Sequence, residues 1–137
     1  MREPLRIVAA AIAVVAIQGC AAITPSCGAG LMPMTQVQLF FGRDIEHRAT
    51  VSDQQWRDFI DQEVTPRFPE GFSVSDVTGQ YRDQSRTIVR EPSKLVQIVL
   101  PGGPDDLGNL QAVAEAYKKR FRQQSVGIIA RDACVSF

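Results

Sequence analysis

Apolar and polar residues alternate over residues 34–41, with Val37, Leu39 and Phe41 on one parity and Gln36, Gln38 and Phe40 on the other, which is the period of a half-buried strand. The period then changes. Ser52-Asp53-Gln54-Gln55 has the form of a capping box, with Ser52 as N-cap and Gln55 reaching back, and Trp56, Phe59, Ile60 and Val64 recur at helical spacing until Pro66 stops the helix. Residues 72–81 are rich in β-formers (Phe72, Val74, Val77, Thr78), and residues 95–100 form an apolar run broken only by Gln97, as a central strand requires, with a polar hairpin connection between the two. Pro101-Gly102-Gly103-Pro104 ends that run in a turn. Asp105 and Asp106 suit a helix N-terminus, Leu110, Val113, Tyr117 and Phe121 mark a second buried stripe, and residues 126–135 close as a final strand.

The predicted order is βαββαβ, the split βαβ or ferredoxin-like pattern of an α+β domain. Two helices then cover one face of a four-stranded antiparallel sheet ordered 4-1-3-2. The other face is bare, and Gln36, Gln38, Phe40 and Gln97 populate it. Such a mixed face fits either a wetted sheet or a homodimer face enclosing a ligand, as in dimeric α+β barrels.

The N-terminus reads as an export signal. Arg2 and Arg6 precede an unbroken apolar run at residues 7–17, whose eleven residues are too few to span a bilayer, where roughly 20 are needed. Ile17-Gln18-Gly19-Cys20 then resembles the lipobox of bacterial lipoproteins, which implies cleavage before Cys20 and acyl chains, palmitate among them, on that residue. Residues 1–19 are the signal peptide, 20–33 the lipidated cysteine and its tether, and 34–137 the domain. Ala21, rather than Asp, after the cysteine resembles the sorting signal for the outer membrane. The expected location is the bacterial cell envelope, facing the periplasm, with the membrane as partner through the lipid anchor.

A chain of 137 residues supports one small domain and leaves no room for a separate catalytic unit. Lys+Arg equals Asp+Glu at 15 each, and the mature chain falls to a net charge of −1, which argues against a nucleic-acid partner. Lipidation of Cys20 leaves Cys27 and Cys134 as an even pair in an oxidising compartment. With the last strand antiparallel to the first, Cys134 falls near the segment entering strand one, so the two are a candidate disulfide. The alternative is two unpaired thiols, Cys27 on a linker and Cys134 in the core.

Few residues offer chemistry. His47, the only histidine, sits in the charged loop after strand one, and one histidine without a cluster gives no metal site. Gln80, Tyr81, Arg90, Glu91 and Lys94 flank one hairpin and group an aromatic platform, a carboxylate and cations able to hold an anionic or sugar-like ligand; a cross-strand pair with a local salt bridge is the plainer reading. Taking strands one and three as parallel places His47 roughly 20 to 25 Å from this group. Residues 101–104 lack the Gly-Lys-Ser/Thr ending of a phosphate loop, and no cofactor fingerprint or catalytic motif appears.

Phe59, Thr65-Pro66-Arg67-Phe68-Pro69 with Gly71, Gly79-Gln80-Tyr81, residues 90–94, and Tyr117 with Phe121 and Gln123 together resemble a bacterial family of short secreted or lipid-anchored proteins, domain-of-unknown-function family 3574. The resemblance covers residues 34–137 and implies export and a single domain, with no activity attached. Two function classes stay open: a lipid-anchored accessory or binding module for an envelope protein or small ligand, and a dimeric α+β barrel enzyme whose cavity is lined by Gln38, Phe40 and Gln97 with His47 at its rim.

Overall fold

The computed structural model describes residues 27–45, 49–83 and 85–137. The segment expected to be a signal peptide, Cys20 and His47 lie outside the described residues. Strand β1 (Met32–Gly42) is followed by a two-stranded ribbon, β2 (Asp44–Ile45) and β3 (Ala49–Thr50), and by helix α1 (Asp53–Phe59), which continues into one π-helical turn, Ile60–Val64. Strands β4 (Ser73–Arg82) and β5 (Ile88–Leu100), helix α2 (Pro104–Phe121) and strand β6 (Gly127–Val135) complete the chain.

The sheet order is β4-β5-β1-β6, with every neighbour antiparallel. With the ribbon set aside, this is the 4-1-3-2 order of the ferredoxin-like fold. The alternation in β1 decides which face is covered: Val37, Leu39 and Phe41 are buried against the helices, opposite Ile98, Val96 and Lys94 of β5. Ser52 accepts from the Gln55 backbone N–H while the Gln55 side chain accepts from Ser52 N–H, so the capping box starts α1 at Asp53, one residue past the cap, and brings Trp56 and Phe59 onto its buried face. The Phe41 ring meets Trp56, Phe59 and Tyr117 edge-on at 4.8–5.9 Å between centroids. Each large side chain buried in this way contributes ~1.5–3 kcal/mol, which makes this aromatic cluster the pivot of the core.

Three expectations are corrected. β1 and β5 are antiparallel, with Gly42 opposite Ser93 and Thr35 opposite Leu100. The crossover through α1 sets β4 parallel to β1, and the short turn after β4 reverses the chain, so β5 has to run against β1. Second, β5 begins at Ile88, so residues 90–94 belong to the strand and only residues 83–87 connect the hairpin, closed by Asp83 N–H to Thr87 O at 3.0 Å. Third, Met32 and Pro33, assigned to the tether, pair in β1 with Val135 and Cys134. Cys27 and Cys134 are joined by a disulfide with Cα atoms 5.5 Å apart, which fixes the start of the described chain to β6. Cys134 is exposed at the edge strand and not part of the core.

Candidate functional site

Because successive side chains in a strand point to opposite faces, the hairpin group divides. Gln80 and Arg90 are cross-strand partners of the parity that faces the helices further along the sheet, and Arg90 Nε donates to Gln80 Oε1 at 2.7 Å. Lys94 has the same parity. Its side chain is only 11% exposed, and its Nζ lies 2.6 Å from Asp76 Oδ1 and 4.0 Å from Asp53 Oδ1. Tyr81 and Glu91 have the opposite parity and stand on the open face. Gln80, Tyr81, Arg90, Glu91 and Lys94 therefore do not form one site, and only Tyr81 and Glu91 reach the cavity described next.

That cavity, about 510 Å³, lies at the end of the open face where β1 finishes and β5 starts. Phe40 and Gly42 of β1, residues 77–79 and Tyr81 of β4, and Glu91 and Ser93 of β5 form its floor and sides. Asp44 of the ribbon, residues 122–125 after α2, and Gly127 close it. The antiparallel register brings the β2–β3 ribbon, with Asp44, to the same end of the sheet as Tyr81, so the parallel setting of strands one and three, on which the separation of roughly 20 to 25 Å rested, does not hold; His47 itself lies outside the described residues. Of the two residues expected with Phe40 in a between-sheets cavity, Gln38 and Gln97 face each other across β1 and β5, away from this pocket.

Glycine shapes the floor. A Cβ on Gly42 would come within 2.8 Å of Glu91 Oε1, and one on Gly79 within 3.3 Å of Ser93 Oγ. The Glu91 carboxylate thus lies flat across the space a β1 side chain would occupy. Ser93 is the buried polar residue of the described chain, and it sits at the bottom of the cavity.

The walls are fixed from behind. Tyr117 Oη donates to the Gly42 carbonyl at 2.8 Å, and its burial holds the phenol protonated well above the usual tyrosine range. Arg43 donates through Nε to Val51 O at 2.7 Å and through its second nitrogen to the same carbonyl, and pairs with Asp53 at 2.8 Å. Gln123 Nε2 donates to Asp44 O at 2.6 Å, tying the loop after α2 to the ribbon. That loop turns at Arg122, whose φ of 53° is left-handed and ends α2.

Partial burial, then the negative charges of Glu91, Asp44 and Asp83, push the Tyr81 phenol pKa up. The cavity thus combines two aromatic faces, Phe40 and Tyr81, with carboxylate and hydroxyl acceptors on the sheet and the amides of Gln123 and Gln124 opposite. It can stack a planar group and accept hydrogen bonds from donors on it. Among the described residues, no group of three or more His, Cys, Asp or Glu is placed to hold a metal ion. No described helix is long and apolar enough to cross a membrane.

The wall at residues 122–125 escaped the sequence reading. Its only signal is the register, since Phe40 pairs with Gly127 and so brings the preceding loop to the end of β1.

A family model described as a protein of unknown function (DUF3574) matches residues 36–137. Among solved structures, a phage SAM lyase in complex with S-methyl-5'-thioadenosine is similar at a TM-score of 0.60 and 18% identity, over 85% of this chain and 97% of that one. CutA from Synechococcus elongatus PCC7942 is similar at a TM-score of 0.52 and 12% identity, over 79% and 87%. At these identities the likeness is one of fold. No curated protein matches the chain in sequence.

Proposed function

The chain belongs to the DUF3574 family of proteins of unknown function, and from that premise we propose that it is a small-ligand-binding module held at the bacterial cell envelope by acyl chains on Cys20. The observation that carries the binding role is the cavity of about 510 Å³ in which Phe40, Tyr81, Glu91 and Ser93 converge on an otherwise open sheet face. The anchor rests on the basic n-region, the apolar run of residues 7–17 and the lipobox-like Ile17-Gln18-Gly19-Cys20.

The ligand this cavity fits has a planar apolar part to lie against the two rings and N–H or O–H donors directed at Glu91 and Ser93. Thioadenosine-type nucleosides meet that description. The phage SAM lyase of similar fold was solved with one, which makes S-methyl-5'-thioadenosine the first probe to use.

Titration calorimetry of the mature chain with this nucleoside and with simple aromatic amines tests the binding role, and Tyr81→Ala and Glu91→Gln are the controls. Saturable heat lost in both variants supports the pocket; heat unchanged in both variants, or absent with every probe, counts against it. Labelling cells with radioactive palmitate tests the anchor, with label expected on the native chain and absent from Cys20→Ser.

A second reading, an enzyme whose cavity closes between the sheet faces of two copies, draws support from the exposure of Phe40 and Ile129 on the open face. Light scattering separates the two: a monomer that binds the probe leaves no place for a cavity shared between copies.

A further inference from the structure

We infer that the disulfide end of the domain is a membrane-contacting surface and that the ligand cavity faces away from the bilayer. The inference rests on acylation of Cys20.

Only six residues separate Cys20 from Cys27, and Cys27 is bound to Cys134 at the edge of the sheet. Seven peptide steps reach at most about 25 Å whatever their conformation. The lipidated cysteine therefore cannot leave the neighbourhood of the end where β1 starts and β6 finishes. Without the disulfide the leash would run five residues further, to Met32.

That end carries apolar groups. Met32 is 52% exposed, Phe137 is 94% exposed, and Leu31 stands beside Met32. Met32 pairs with Val135 across the two strands, so Leu31, Met32 and Phe137 share one rim. Leu107, 55% exposed in the first turn of α2, lies at the same end, because α2 follows the turn where Gly102 approaches Thr35 of β1. Scattered exposed apolar residues are ordinary, but these four share the end to which a short leash ties the acyl chains. Apolar side chains held at that distance insert into the headgroup and acyl boundary, adding to the hold of the lipid.

Charge does not supply the contact. Lys118, Lys119, Arg120 and the C-cap Arg122, which lines the cavity, sit at the other end of α2, and Asp105 and Asp106 stand in its first turn. The contact is thus apolar rather than an attraction of basic groups to anionic headgroups. The 11 residues of β1 hold the cavity roughly 30 Å beyond the rim. Ligand then enters from the aqueous side.

The test uses the full lipidated chain in phosphatidylethanolamine vesicles that contain a bilayer-confined photoactivated carbene reagent, with peptide mapping by mass spectrometry. Phe40 and Tyr81 serve as internal controls, since at 37% and 46% their exposure is close to the 41% and 52% of Leu31 and Met32. Several-fold more label on Leu31, Met32, Leu107 and Phe137 than on Phe40 and Tyr81 is the expected result. Equal label at both ends, or none at the rim of a chain whose intact mass shows the acyl groups, overturns the inference and leaves the anchor standing. A chain whose mass shows no acyl groups overturns the anchor and the inference together. A Cys27→Ser, Cys134→Ser chain, with its longer leash, is expected to narrow the difference between the ends; an unchanged pattern would overturn the role given to the disulfide.

Discussion

Gly42 and Glu91 occupy one space between them: a Cβ on the glycine would lie 2.8 Å from the carboxylate oxygen of its neighbour on β5. Gly42→Ala therefore displaces Glu91. The atom that yields is the far end of a flexible side chain, so stability should change by no more than about 1 kcal/mol, while affinity for the pocket's ligand falls about tenfold. Thermal unfolding and calorimetry on the same variant check this. A large stability loss would show that Gly42 serves the fold rather than the site.

Glu91 and Lys94 lie three residues apart and on opposite faces. Glu91→Gln should weaken ligand binding about tenfold or more, as expected when a charge-assisted hydrogen bond is lost. Lys94→Met should leave binding unchanged.

The effect of Lys94→Met belongs to acid stability. The hydrogen bond from Lys94 holds the Asp76 carboxyl below its ordinary 3.8. The stabilisation this supplies is complete above that value and is lost as pH falls through the lowered one. An acid titration followed by circular dichroism should show that pH-dependent part missing in Lys94→Met.

Tyr117→Phe removes the donor to the Gly42 carbonyl, at a cost of about 1 kcal/mol. Burial raises the Tyr117 pKa above that of an unfolded tyrosine, so its contribution is full below about pH 10 and declines as the unfolded phenol ionises above it. Alkaline unfolding curves should be steep for the native chain and flatter for Tyr117→Phe.

The Cys27–Cys134 bridge closes a loop with a sequence separation of 107, for which chain entropy gives up to about 4 to 5 kcal/mol. Denaturant melts with and without reductant should differ by a few kcal/mol. Coincident melts would show that the core alone sets stability.

Local signals carried most of the fold in the sequence. The capping box at Ser52 and Gln55, the alternation through Val37, Leu39 and Phe41, and the stripe of Leu110, Val113, Tyr117 and Phe121 each describe an element within one window of the chain. The order of strands followed from counting those elements. Direction is a relation between elements that no single window carries: β1 and β5 are antiparallel, and this brings the residues that follow β1 to the end of the sheet that holds Tyr81. The site suffered most. Its members Phe40, Glu91 and Gln123 come from three distant segments, and the parity that separates Glu91 from Lys94 exists only because β5 extends back through residues 90–94, whose polar composition has the look of a connection.

The π turn at Ile60–Val64 bears on how this domain tolerates changes of length. Thr65 N–H reaches back five residues to Ile60 O, at 2.9 Å, and both Phe59 and Val64 are buried. In an α-helix a five-residue step overshoots a full turn by about 140°, and Val64 would swing out of the core. The wider turn absorbs one residue more than an α-helix can accommodate in phase. Deleting the exposed Asp61 or Gln62 should therefore convert this segment to ordinary helix with Phe59 and Val64 still facing inward, whereas inserting a residue there should turn Val64 toward water.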